Sequence, residues 1–211
     1  MSTTTYRYDA TGDVRAELKL NYADVAITTN TTDQITIDLE GEEAAGTSVT
    51  YRFGRLVIKS PDRKALDIFH RKRPRLTVRI SLPSTTALEC ESVASTIELE
   101  EVSREANFDA VSSTVKASSV SAPLSIQGLK VKAELDAVSS PVQVNGAAAK
   151  VSIGDFSGAL DAKGASINVD IARVHRGDLQ VEGVKAACTV GVLPGVHVHT
   201  DFDGLASSFN S

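Results

Sequence analysis

The sequence predicts an all-β fold: a single-stranded, right-handed β-solenoid with about 18 residues per coil, capped at one end by an N-terminal section of short strands. Three observations predict it. Residues Val93 to Arg173 divide without a gap into nine units of nine residues. The first, fifth and seventh places of every unit are Val, Ile, Leu, Phe or Ala, and in a chain that is 42% hydrophobic such a run has a chance on the order of 10⁻¹⁰. Gly128, Gly146 and Gly164 end alternate units at intervals of 18, and Gly183 follows 19 residues later, after one inserted residue.

Each unit reads as one side and one corner of a coil. Apolar residues two apart, at the fifth and seventh places, mark a short strand with that face turned inward. The eighth, ninth, second and third places are rich in Ser, Gly, Asp and Ala, the residues of corners. A glycine at every second corner implies either a positive φ or a close backbone approach there, and hence a coil of two unlike halves. DAVSSTV at 109 and DAVSSPV at 136 suggest a competing period of 27, which the glycine series outweighs. Coils stacked in parallel about 4.8 Å apart place like residues over like, and right-handedness follows the general preference of parallel crossovers.

In chain order, residues 1–61 and 75–83 form the strand-rich front section and cap, 62–74 a basic excursion, and 84–205 the regular coils, all within a single domain. Val14 to Leu20 alternates. Val25 and Ile27, then Ile35, Ile37 and Leu39, then Val49, Tyr51 and Phe53, then Leu56 and Ile58 give four more strands of period two. Turn residues at 30–33, 40–42, 53–55 and 60–61 separate them. Leu76, Val78, Ile80 and Leu82 restore the alternation, and Pro83 ends it by removing a ladder donor. Beyond Arg173 the register continues through VHRGDLQVEG and VKAACTVGV, then slips at LPGVHVHTD.

Composition narrows the function classes. Aromatic residues are 5% and Trp is absent, which disfavours a stacking platform for bases or sugars. The net charge of −5 is unevenly spread: residues 62–75 carry +4 and the remainder −9. Neither a run of eighteen apolar residues nor a basic and apolar leader is present, so no transmembrane segment and no signal peptide are expected. Cys90 and Cys188 both fall at inward places about five coils apart, roughly 26 Å along the axis, too far for a disulfide. Two unpaired buried thiols point to a reducing, cytoplasmic location.

The front strands, the Ile80-Ser81-Leu82-Pro83 strand end, the serial coils and the closing VGVLPGVHVHTDFDGLASSF together resemble a bacterial family of unknown function that bears the provisional label adhesin, part of the wider group of Toastrack-like β-solenoids. Within it the sequence resembles the actinobacterial branch. The resemblance covers almost the whole chain and implies a solenoid, in some members beside membrane-stress systems, with no active-site residues to carry over. Where family members carry a Ser-Gly-Asp-type corner, this chain has Val-Ser-Ser or Val-Ser-Ala.

The local chemistry is sparse. G-x-S-x-G, Walker, G-x-G-x-x-G and C-x-x-C motifs are absent, and Asp136, Asp155, Asp161 and Asp170 are scattered rather than paired, so no enzyme and no cofactor are expected. His197, His199 and Asp201 are the candidate metal ligands, since alternate strand residues share a face. With no third strong ligand, an exposed polar face is the preferred reading. Arg63, Lys64, Arg71, Lys72, Arg73 and Arg75 are the candidate contact to an acidic lipid surface or acidic partner, against the plainer reading of a solvated loop; specific nucleic-acid binding is not expected. The functional expectation is a non-catalytic scaffold or interaction module linked to envelope stress or adhesion-like binding. The alternatives are bactofilin-like end-to-end self-assembly through the uncapped Leu205 end and, last, a glycan-acting enzyme.

Overall fold

Parallel pairing at a fixed offset builds the molecule. The computed structural model describes residues 3–10, 12–61, 76–196 and 198–210. The regular coils begin with β8 (Ala87–Val93) and β9 (Thr96–Val102), followed by β10 (Ala106–Val111) and β11 (Ser113–Val120). From there each coil is one long bent strand: β12 (Leu124–Val138), β13 (Val142–Phe156), β14 (Ala159–Val174) and β15 (Asp178–Val192), with β16 (His199–Asn210) starting the next. The result is a β-solenoid of about 6 turns with about 18 residues per turn.

The register settles the period. Leu124 pairs with Val142 and Val142 with Leu160, each 18 apart, so the 27-residue alternative fails. The inserted residue makes the next step 19, from Leu160 to Leu179. The slip after β15 is a coil of 21, in which Gly183 pairs with Gly204.

The front section is partly solenoid itself. β2 (Arg15–Asn21) and β3 (Ala23–Asn30) stack in parallel on β8 and β9. Outside them lie β6 (Arg55–Lys59) and β7 (Leu76–Pro83), again parallel. The capping is done by antiparallel strands: β4 (Gln34–Gly41) on β7, β5 (Ser48–Arg52) on β6, and β1 (Thr3–Asp9) on β4. A reversed strand ends the parallel series at this end of the stack. β1 is an additional strand, and Phe53 is not part of β5: it is fully exposed in the β5–β6 turn with φ 51°.

The core is a set of ladders. Leu18, Cys90, Phe108, Ile126, Val144 and Ala162 stack in one half; Ile97, Val115, Ala133, Val151, Val169 and Cys188 stack in the other. All are buried. The two cysteines thus lie in different halves and five layers apart, about 24 Å, and both are free.

Burial sets the chemistry of those thiols. It pushes Cys90 up to about 12 and Cys188 up to about 11, because a thiolate there would lose its hydration. Neither is expected to react with a thiol reagent at pH 8 faster than the fold opens, which a comparison of labelling rates in native buffer and in denaturant checks. The unfolded chain releases these protons first, near pH 9. Their contribution to stability is therefore complete below that pH and falls as pH rises toward 11 to 12.

Candidate functional site

Two corners separate the halves of each coil, and they differ. At the first, β2 to β3, β8 to β9 and β10 to β11 turn through Tyr22, Ala94 and Ser112, which have φ of 55°, 49° and 56°. The ladder breaks there, and buried serines replace it: the Ala23 N–H donates to Ser95 Oγ at 3.2 Å and the Ser95 N–H to Ser113 Oγ at 3.2 Å. From β12 onward the strand runs straight through the corner, and glycine makes that possible. A Cβ on Gly128 would fall 1.7 Å from the Ala110 carbonyl oxygen, and one on Gly164 would fall 1.7 Å from that of Gly146. Close approach, not positive φ, is what these glycines serve.

The residue after this corner, preceded by Ala110 in β10 and by glycine from β12 onward, is thrown outward. Val111, Leu129, Ala147, Ala165, Val184 and Leu205 occupy equivalent places in successive layers, and all are exposed. Leu129 is 61% exposed, Val184 59% and Leu205 90%. These are first-place residues of alternate nonapeptide units, or their continuation. Their counterparts at the other corner, Val102, Val120, Val138, Phe156 and Val174, are buried. Half of the first-place apolar signal is therefore not core at all. It forms a row about 24 Å long on one edge of the solenoid, at about 4.8 Å per layer. The sequence carries a marker for the split, since five of the six outward residues follow Gly and only Val111 follows Ala.

One flank of this row is basic. A groove of about 410 Å³ beside it is lined by Ser112, Thr114, Lys130, Lys132, Lys150 and Ser166. Lys185 continues the Lys130 column one coil beyond Ser166. The first carboxylate on that side is Glu134, which pairs with Lys132 and is held below the ordinary carboxylate range by that hydrogen bond. On the opposite flank, Asp109, Gln127, Asn145, Lys163, Glu182 and Asp203 form a mixed column.

The candidates from sequence fare differently. Arg63, Lys64, Arg71, Lys72, Arg73 and Arg75 lie outside the described residues; the chain leaves for them after Pro61 and returns at Leu76. His197 is also outside. His199 and Asp201 lie on the outward side of β16, opposite Asp178 and Gln180 of β15, while Val198 and Phe202 pack against the core. Among the described residues, no three His, Cys, Asp or Glu side chains group as a metal site. Asp155 sits at the second corner, where Arg173 Nε and Nη2 donate to its two oxygens at 2.7 and 2.6 Å and His175 Nε2 lies 3.0 Å away. Arg173 first, then His175, holds the Asp155 carboxyl well below the usual range. This triad is exposed and each member is satisfied by the others, which describes a surface clamp between adjacent coils. Asp161 pairs with Lys163 at 3.3 Å on the opposite half of its coil.

No helix among the described residues is long and apolar enough to cross a membrane. Among curated proteins, none matches the sequence. A solved structure from Bacteroides fragilis, provisionally labelled an adhesin, is similar over 100% of this chain and 97% of its own, with 14% identity and a TM-score of 0.64, which shows the shared fold. Another bearing the same label, from Parabacteroides merdae, aligns over 97% of this chain and 95% of its own, with 13% identity and a TM-score of 0.40. A family model described as Toastrack DUF4097 matches residues 15–191, most of the chain and nearly all of its coils. The chain belongs to the Toastrack DUF4097 family.

Proposed function

We propose that this chain is a non-catalytic solenoid scaffold of a bacterial cell, an interaction module that presents its lateral surface to a partner in adhesion-like binding or envelope stress. The observation that carries this reading is the exposed apolar row: a periodic pattern spent on solvent positions, on a frame whose register holds each residue in place. The adhesin label of the Bacteroides fragilis neighbour is consistent with it. The two unpaired buried thiols support a reducing, cytoplasmic setting. Cross-linking in the source cell, read by mass spectrometry, tests the reading. Links from the lateral surface to one recurrent partner, protein or lipid, are expected; a glycan-cleaving activity of the purified chain would replace it.

A second reading, end-to-end association, has its own observation. Among the described residues β16 pairs as a strand only with β15, so it is the last strand of the parallel series at this end of the stack. If that end recruits another copy, light scattering finds a mass that grows with concentration. A constant monomer mass removes this reading.

A further inference from the structure

We propose that the glycine-corner edge is a membrane-contact edge: it lies along an anionic lipid surface, with the apolar row entering the headgroup layer and the neighbouring lysines meeting lipid phosphates. This rests on reading the solenoid as a displayed, non-catalytic surface and names its partner.

Three observations carry it. First, the row keeps Val, Leu or Ala at every coil from Val111 to Leu205 although the positions face solvent, where Ser, Thr or Lys would serve the fold equally well. Second, the two columns beside the row from β11 to β15 hold Lys130, Lys132, Lys150 and Lys185 among Ser, Thr, Asn and Ala, with no carboxylate. Lys130, Lys150 and Lys185 form no ion pair among the described residues. Long lysine stems beside an apolar strip place their ammonium groups at headgroup level, where anionic lipid concentrates positive charge.

Third, the shape suits a lipid surface and not a folded partner. A row about 24 Å long and one residue wide covers roughly 250 Å², far below the roughly 800 Å² per partner of a stable protein interface. A second copy is disfavoured on the same ground. A fluid headgroup layer has no such area requirement, because it closes around a linear edge. The carboxylates Asp109, Glu182 and Asp203 stand on the opposite flank, so contact tilts toward the lysine side and carries them away from the lipid.

The test uses the full chain and flotation with vesicles of phosphatidylcholine, with and without phosphatidylglycerol. Binding to the phosphatidylglycerol vesicles alone is expected, weakening as salt is raised. The variant Leu129→Ser with Leu205→Ser is expected to lose about tenfold or more in binding at an unchanged melting temperature. Lys130→Ser with Lys150→Ser and Lys185→Ser is expected to lose the salt-sensitive part. The proposal is overturned if the wild-type chain does not float with anionic vesicles, or if the leucine variant binds as well as wild type. It is equally overturned if polyglutamate binds as tightly as vesicles, since charge alone would then explain the surface. A dimer by light scattering that the leucine variant dissolves would assign the row to a second copy instead. Failure here leaves the display reading to the cross-linking result, which also reports partners held elsewhere on the lateral surface.

Discussion

Gly164→Ala and Gly128→Ala are each expected to cost about 3 kcal/mol or more of folding stability, whereas Gly146→Ala stays within about 1 kcal/mol of wild type. The three glycines are equivalent in sequence period and differ only in geometry. At Gly128 and Gly164 the new methyl would lie 1.7 Å from a carbonyl oxygen of the preceding coil. That oxygen belongs to the backbone and cannot swing aside as a side chain would, so two layers must separate locally, at the expense of the ladder bonds on either side of the corner. At Gly146 the nearest atom is 3.3 Å away, a strain that a shift of a few tenths of an ångström relieves. There the loss of unfolded-chain entropy on Gly→Ala, about 0.4 to 1 kcal/mol, offsets most of the cost. Urea unfolding of the three variants checks the order. Equal effects would mean that the coils do not approach as closely at these corners as described.

Phe156→Ala is expected to destabilise by about 3 to 5 kcal/mol, the range for emptying a fully buried phenylalanine site. Phe156 has no exposed surface and stacks between Val138 and Val174 of the adjacent coils. Its ring also fills the space under the next corner, where a Cβ on Gly177 would meet Phe156 Cε1 at 2.9 Å. The neighbours are held by ladders on either side and cannot collapse into the void, so the cost belongs at the upper end of the range. Phe156→Leu keeps most of the volume and is expected to cost about 1.5 kcal/mol or less. Thermal and urea unfolding of the pair separates lost volume from lost ring shape.

The solenoid was legible in the sequence because its period is local: inward residues two apart and a glycine every 18 residues specify strand, corner and stacking together. The front section was legible as strands but not as layers. Nothing in the spacing of Val25 and Ile27 says that β3 lies between β7 and β9, because insertion out of chain order leaves no period. β1 left no signal either. Its Thr-Thr-Thr-Tyr-Arg-Tyr-Asp run has no aliphatic alternation, since an outermost strand is only half covered. The Val49, Tyr51 and Phe53 alternation overran its strand by one residue, because a positive φ at Phe53 turns the ring to solvent.

The candidate site was harder to see than the fold, for a physical reason. Hydrophobic periodicity reports where apolar residues recur, and core burial is only its commonest cause. Leu129 and Val138 hold the same place in successive nonapeptide units, yet one protrudes beside a glycine and the other fills the interior. The glycine before Leu129 marks the difference in sequence, and the packing of successive coils gives it its meaning. The reverse holds for the two cysteines, whose inward places and separation followed directly from the period.

The central claim is that an 18-residue parallel register lines up Val111 and the residues after the corner glycines on one outer edge. Spin labels on cysteines introduced at Val111 and Leu205 test it directly, since the native thiols are buried and remain unlabelled. Five layers at about 4.8 Å predict a narrow distance distribution centred near 24 Å by pulsed electron paramagnetic resonance. A centre near 17 Å, the value for coils of about 27 residues, or a broad distribution without a peak, would contradict it.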